Sequence, residues 1–169
     1  MGSQRIPTGT VLVVDDDPGV CAALNQVLKK LGHTVISALS GEEALKLLDE
    51  QSVEVIISDQ HMPGLSGIDL LKIVRVRHPK VVRIMLTGDK SPEVPIRSIN
   101  EGEVYRYIRK PWNNNDLRTV VSFAFEIARL EQEKRHLVTL LKNQLASSDD
   151  PADIEAELVR LAEDEMQDS

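Results

Sequence analysis

Residues 10–18, TVLVVDDDP, decide how this chain is built. A β-branched, apolar run passes directly into three aspartates and a proline. A strand that is apolar on both sides of its pleat is covered on both faces, which is the situation of a parallel sheet. Asp17 before Pro18 is a helix N-cap with proline at the first helical position, so a helix starts as soon as the strand ends. The same unit recurs outward from this stretch. Short β-branched runs at 34–38, 53–58, 81–86 and 104–108 alternate with helical patterns, predicting an α/β fold with a doubly wound, five-stranded parallel sheet. Gly32 stops the first helix, and Ser40 with Glu43 forms a capping box ahead of Ala44, Leu45, Leu47 and Leu48. A third helix follows Gly67 through Ile68, Leu70, Leu71 and Val74 and ends near His78 and Pro79.

The two remaining helices differ in character. Pro92 and Pro95 fall where a fourth should begin, so it is predicted late and short, over 94–100. A fifth begins after Pro111 and Trp112, with Asn113 and Asp116 as capping candidates, and nothing interrupts it before Ser147. About thirty residues is long for a globular helix, so its second half should extend from the domain. There Ile127, Leu130, Leu137 and Leu141 fit heptad a and d positions while Lys134 and Gln144 occupy two others, a short coiled-coil signal that suggests a homodimer.

Composition limits the partners. The 169 residues are 41% hydrophobic but only 3% aromatic, enough for one core built from Val, Leu, Ile and Ala. Twenty Lys+Arg against 27 Asp+Glu give a net charge of −7, which argues against an ordinary basic nucleic-acid-binding domain. The charge is uneven. Residues 147–169 hold nine acidic residues and one basic residue, leaving 18 and 19 in residues 1–146. No apolar run approaches the roughly 18 residues of a membrane span, and residues 1–10 lack a secretory apolar stretch, so a cytoplasmic location is expected. Cys21, set among Val20, Ala22, Ala23 and Leu24, reads as a buried thiol. His33, His78 and His136 show no metal-ligand spacing.

Ligands of an open parallel sheet bind outside the carboxyl ends of its strands, and the polar residues gather there. The first strand ends in Asp15, Asp16 and Asp17, the third in Asp59, the fourth in Thr87, and the fifth in Lys110 followed by Pro111. If the strand order is 2-1-3-4-5, Asp15, Asp16 and Asp59 converge. With Lys110 as the only offset, such a pocket calls for a divalent cation, and an all-oxygen set favours Mg2+. A carboxylate nucleophile, a cation, a lysine ammonium and a threonine hydroxyl together outline phosphoryl transfer.

The motifs VLVVDDDP at 11–18, DQHMPGLSG at 59–67, MLTG at 85–88 and YIRKPW at 107–112 resemble the response-regulator receiver family of two-component signalling, in register from residue 10 to about 125. That resemblance implies the flavodoxin-like strand order 2-1-3-4-5 and Asp59 as phosphoacceptor. It implies Asp16 as a direct Mg2+ ligand, Asp15 as a ligand through water, and the His61 backbone carbonyl as a further metal oxygen. Thr87 and Lys110 would bind the phosphoryl group, Thr87 and Tyr107 would form the switch, and His61 and Asp89 would tune phosphoryl lifetime. The Lys-Pro bond would be cis. The donor would be a sensor histidine kinase or a phosphotransfer protein, and the chain a signalling module that assists its own phosphorylation and dephosphorylation rather than an enzyme. Pro92 and Pro95 depart from the family by interrupting a helix of its usual output face. The long last helix is similar to receivers that precede a separate output domain. The expected organisation is an N-terminal lead at 1–9, a receiver at 10–125, a helical extension at 126–146, and an acidic tail at 147–169. The tail carries a short amphipathic helix with Ile154, Leu158, Leu161 and Met166.

A rival reading is a phosphatase of haloacid-dehalogenase type with Asp15 as nucleophile, since Asp15 and Asp17 form a D-x-D after the first strand and Thr87 and Lys110 could serve as its later residues. Pro18 and Gly19 stand where that pattern expects Thr or Val, no acidic pair follows Lys110, and Asp59 would be idle.

Overall fold

The structure, a computed structural model, describes residues 8–88 and 104–146. Its elements are β1 (Thr10–Val14), α1 (Pro18–Lys30), β2 (Thr34–Ala38), α2 (Gly41–Glu50), β3 (Val55–Asp59), α3 (Gly67–Arg77), β4 (Val82–Thr87), β5 (Arg106–Arg109) and α4 (Asn114–Ala146). The sheet is parallel throughout, in the order β2-β1-β3-β4-β5 expected from sequence. The predicted fourth helix, with Asp89, Pro92 and Pro95, lies outside the described residues, as does the acidic tail at 147–169.

Alternation along β1 sends side chains into two cores. Val11 and Val13 pack with Leu24, Leu28, Val55, Ile57, Leu86, Leu117 and Phe125 on one face. Leu12 and Val14 pack with Leu48, Ile56, Leu70, Leu71 and Met85 on the other. Burying one such side chain contributes about 1.5–3 kcal/mol, against ~1 kcal/mol for a helix cap, so packing holds the helices and caps set only their ends. Those ends fall where the sequence placed them. Asp17 caps α1 through the Gly19 amide, the Ser40 hydroxyl accepts from the Glu43 amide, and Gly32 stops α1 at a φ of 89°.

Three strands sit later than the hydrophobic runs suggest. Predictions of 53–58, 81–86 and 104–108 become Val55–Asp59, Val82–Thr87 and Arg106–Arg109. Val53, Val81 and Val104 are buried, but in the loops leading into the strands. Hydrophobicity marks burial, whereas the paired ladder runs on into the polar residues.

The chain forms two compact units, residues 1–129 and 130–169, and α4 belongs to both. Up to Ala128 this helix buries Leu117, Val121, Ala124 and Phe125. From Arg129 to Gln144 no side chain is buried, and Leu130, Leu137 and Leu140 are exposed, as is Phe123. Trp112, just before α4, packs on the same core as Leu117 and Val121.

His33, in the turn between α1 and β2, is 4% exposed and stacks on Phe125 with centroids 4.3 Å apart. Neither ring nitrogen has a hydrogen-bond partner among the described residues, and burial pushes its pKa below the usual 6.5. Well above pH 6.5 the ring is neutral folded or unfolded and contributes no pH dependence. Below it the unfolded chain takes up a proton more readily, so stability falls, by at most about 1.4 kcal/mol per pH unit, until the folded ring also titrates. Urea midpoints compared at pH 7.5 and 5.5 should show this loss, and His33→Phe should remove that part of it. An unchanged difference in the variant would rule the effect out.

Candidate functional site

The carboxyl edge of the sheet is assembled by backbone bonds that continue beyond the strands. Asp15 leaves β1 with its amide still on the Ala38 carbonyl (3.2 Å). Its Oδ1 accepts from the Asp17 amide (2.9 Å), and Asp17 in turn holds the Gly19 amide (2.8 Å). Asp59 is the last residue of β3, with its Oδ2 accepting from the His61 amide (3.2 Å). The Lys110 amide donates to the Thr87 carbonyl (2.9 Å), and the Lys110–Pro111 bond is cis.

These placements bring four charged groups together. Ligand oxygens of Asp15, Asp16 and Asp59 lie within 4.8 Å of one another. Asp15 and Asp59 are buried, at 1% and 6% exposure, while Asp16 is exposed. Lys110 Nζ bridges the buried pair, 2.7 Å from Asp15 Oδ2 and 2.8 Å from Asp59 Oδ1. Burial alone would lower the Lys110 pKa, but hydrogen bonds to Asp15 and then Asp59, with their charges, outweigh it and raise the pKa above the ordinary lysine value. The ammonium is therefore firmly protonated. One positive charge against three carboxylates leaves two formal negative charges in the cluster. Each like-charge contact near 4 Å costs about 4 kcal/mol at an effective dielectric of ~20, so a cation has a reason to bind.

The neighbours define what the cluster can do. Asp17, second carboxylate of the D-x-D reading, is exposed and committed to capping α1, outside the cluster. Cys21 Sγ lies 3.5 Å from the Asp15 carbonyl, and burial followed by the Asp15 charge pushes its pKa up, so the thiol is inert rather than nucleophilic. The His61 side chain is exposed, as are Arg106 and Arg109. Thr87 ends β4 and is 3% exposed. Cross-strand register pairs Met85 with Tyr107 and Thr87 with Arg109, so Tyr107 shares the Thr87 face of the sheet and packs with the Met85 core. Asp89 lies outside the described residues.

Three contributors escaped the sequence reading. Thr87 Oγ1 donates to Gln60 Oε1 at 2.5 Å. Glu42 at the start of α2 accepts from the Leu65 amide (3.3 Å) and so steadies the loop after Asp59. Gly67 donates its amide to the Gln60 carbonyl (3.0 Å), and a Cβ there would sit 1.9 Å from the Asp59 carbonyl oxygen. The quoted motif contained Gly67, but only the tertiary approach shows why it is glycine.

Residues 11–122 match the response regulator receiver domain family. The chain belongs to that family. Over 128 residues, 76% of its length, this receiver is 41% identical to the hydrogenase transcriptional regulatory protein HoxA of Cupriavidus necator, covering 26% of it. It is 30% identical over 129 residues to the DNA-binding transcriptional regulator NtrC of Escherichia coli, covering 76% of the receiver chain and 27% of NtrC. The chain thus spans about a quarter of the length of these curated relatives. The signal receiver domain of an HD domain-containing protein from Pseudomonas fluorescens superposes with a TM-score of 0.68 at 34% identity, covering 72% of this chain and 98% of that one. The response regulator TrrA from Thermotoga maritima, solved in complex with Mg2+ and BeF, gives 0.63 at 28% identity, covering 69% of this chain and 98% of that one. These likenesses favour the receiver over the haloacid-dehalogenase reading. Among the described residues no helix is long and apolar enough to cross a membrane.

Proposed function

We propose that this receiver accepts a phosphoryl group on Asp59 from the phosphohistidine of a sensor histidine kinase or a phosphotransfer protein, and that the modification switches a protein-interaction or dimerisation surface. The observation that carries the reading is the meeting of Asp15, Asp16 and Asp59 with the Lys110 ammonium at the carboxyl edge. The donor set is all oxygen with two formal negative charges left over, which fits Mg2+, a hard cation that keeps several waters. In that fit Asp16 would be a direct ligand, Asp15 would act through water, and the His61 backbone carbonyl would add an oxygen. When bound, Mg2+ neutralises charge on phosphoryl oxygens.

An Asp59 oxygen attacks phosphorus as the bond from phosphorus to the donor imidazole breaks, leaving an acyl phosphate on the receiver. Lys110 holds one phosphoryl oxygen and the Thr87 hydroxyl another. Movement of Thr87 makes room for Tyr107 on the same sheet face, biasing the surface of β5 and α4. His61 and Asp89 tune how long the acyl phosphate lasts. Water returns Asp59 to the carboxylate, so the chain assists both steps as a signalling module.

Residues 10–125 form the receiver in this reading. Residues 126–146 pair with a second copy, supported by exposed Leu130, Leu137 and Leu140, and residues 147–169 are a separate acidic tail. The module works in the cytoplasm and contacts protein rather than nucleic acid or membrane.

Beryllofluoride titration with and without Mg2+, read alongside sedimentation mass, tests this reading. The expected result is one Mg2+-dependent beryllofluoride per chain and a shift toward dimer. Steady hydrolysis of a phosphomonoester that survives Asp59→Asn but not Asp15→Asn would instead make the chain a phosphatase.

A further inference from the structure

We propose that Gln60 is a latch that holds the Thr87 hydroxyl before phosphorylation and thereby sets how readily the phosphoryl site captures it. The proposal deepens the reading of Thr87 as a phosphoryl-binding residue and rests on it. Thr87 Oγ1 donates to Gln60 Oε1 at 2.5 Å. A hydroxyl has one proton to donate, so the Gln60 bond must break before that proton can reach a phosphoryl oxygen on Asp59.

The backbone makes this contact a fixed feature. The Gln60 amide donates to the Leu86 carbonyl and the Gln60 carbonyl accepts from the Gly67 amide, both at 3.0 Å. Asp59 pairs with Leu86, and continuing that register sets Gln60 opposite Thr87 on one sheet face, away from the Asp59 side chain. Gln60 is therefore adjacent in sequence to the phosphoacceptor yet acts through the switch threonine. It is a positioning residue, competing with the phosphoryl group for one donor.

Gln60→Met keeps the length of the side chain and removes the strong acceptor. Without the Gln60 bond to break, Thr87 should be captured more readily, and Mg2+-dependent beryllofluoride should bind about threefold to tenfold tighter, the usual worth of one neutral hydrogen bond. Gln60→Glu retains an acceptor at the same reach and should show no gain. The decisive comparison repeats Gln60→Met on a Thr87→Val background, where the hydroxyl is gone and the gain should vanish. In the unliganded Gln60→Met protein the Thr87 methyl resonance should move toward its position in the beryllofluoride complex, a change that altered stability alone would not produce. No gain in the single variant, or the same gain on the Thr87→Val background, overturns the latch while leaving the phosphoacceptor reading intact. Failure of the parent itself to bind beryllofluoride overturns both.

Discussion

Asp59→Asn should carry no phosphoryl group after incubation with acetyl phosphate and Mg2+, under conditions in which the parent gains one phosphoryl mass per chain. An amide oxygen lacks the charge and basicity of the carboxylate nucleophile, so the loss should be complete rather than partial. The fold should survive. Asn retains an oxygen for the His61 amide, now 3.2 Å from Asp59 Oδ2, and Lys110 keeps its 2.7 Å contact with Asp15. Removing one of three mutually repelling carboxylates also relieves the cluster. Intact-mass measurement of parent and variant side by side decides the matter, with Asp15→Asn as the informative companion. That substitution leaves the proposed nucleophile in place and weakens cation binding, so its labelling should be slower but present. Equal labelling of Asp59→Asn and parent would place the acceptor elsewhere.

Gly67→Ala should be the most destabilising single-methyl change in the described fold. The added Cβ would lie 1.9 Å from the Asp59 carbonyl oxygen, 2.8 Å from its carbon and 2.9 Å from Gln60 Cα. All three are backbone atoms at the end of a central strand and cannot swing aside as a side-chain tip can. Relief requires moving the start of α3 away from β3, which also breaks the 3.0 Å bond from the Gly67 amide to Gln60. A loss of about 3–5 kcal/mol is expected, in the range of a severe core clash. Chemical denaturation should show it as a lowered midpoint. Gly88→Ala makes the same chemical change where no described heavy atom lies within 4 Å, and should move stability by no more than about 0.5 kcal/mol. Equal midpoints for the two variants would refute the steric account.

Much of this was legible in the chain because the information was local. The caps at Asp17 and Ser40, the glycine at 32 and the unbroken helix after Trp112 depend on residues within a few positions of one another. The strand-end residues Asp15, Asp16, Asp59 and Lys110 followed from placing βα units end to end, and the structure brings them together. What escaped was set by register and close approach. Gln60 carries no role in the motif that contains it, because nothing local reveals that it stands opposite Thr87. Glu42 lies 23 residues from the Leu65 amide it holds, and His33 becomes a stacked, buried ring only when α4 supplies Phe125. Strand limits slipped by a residue or two because Val53, Val81 and Val104 are buried without being paired.

The hydrogen-bond ladder that runs past the strands into Asp15, Gln60 and Lys110 has a bearing on how this molecule fails. A site hung on a loose loop fades gradually as the loop opens, long before the rest of the protein melts. Here the backbone at Asp15, Gln60 and Lys110 is bonded to the sheet itself, so heat or denaturant should leave each molecule fully competent or wholly lost, and a mixed population should differ in number of working copies rather than in their quality.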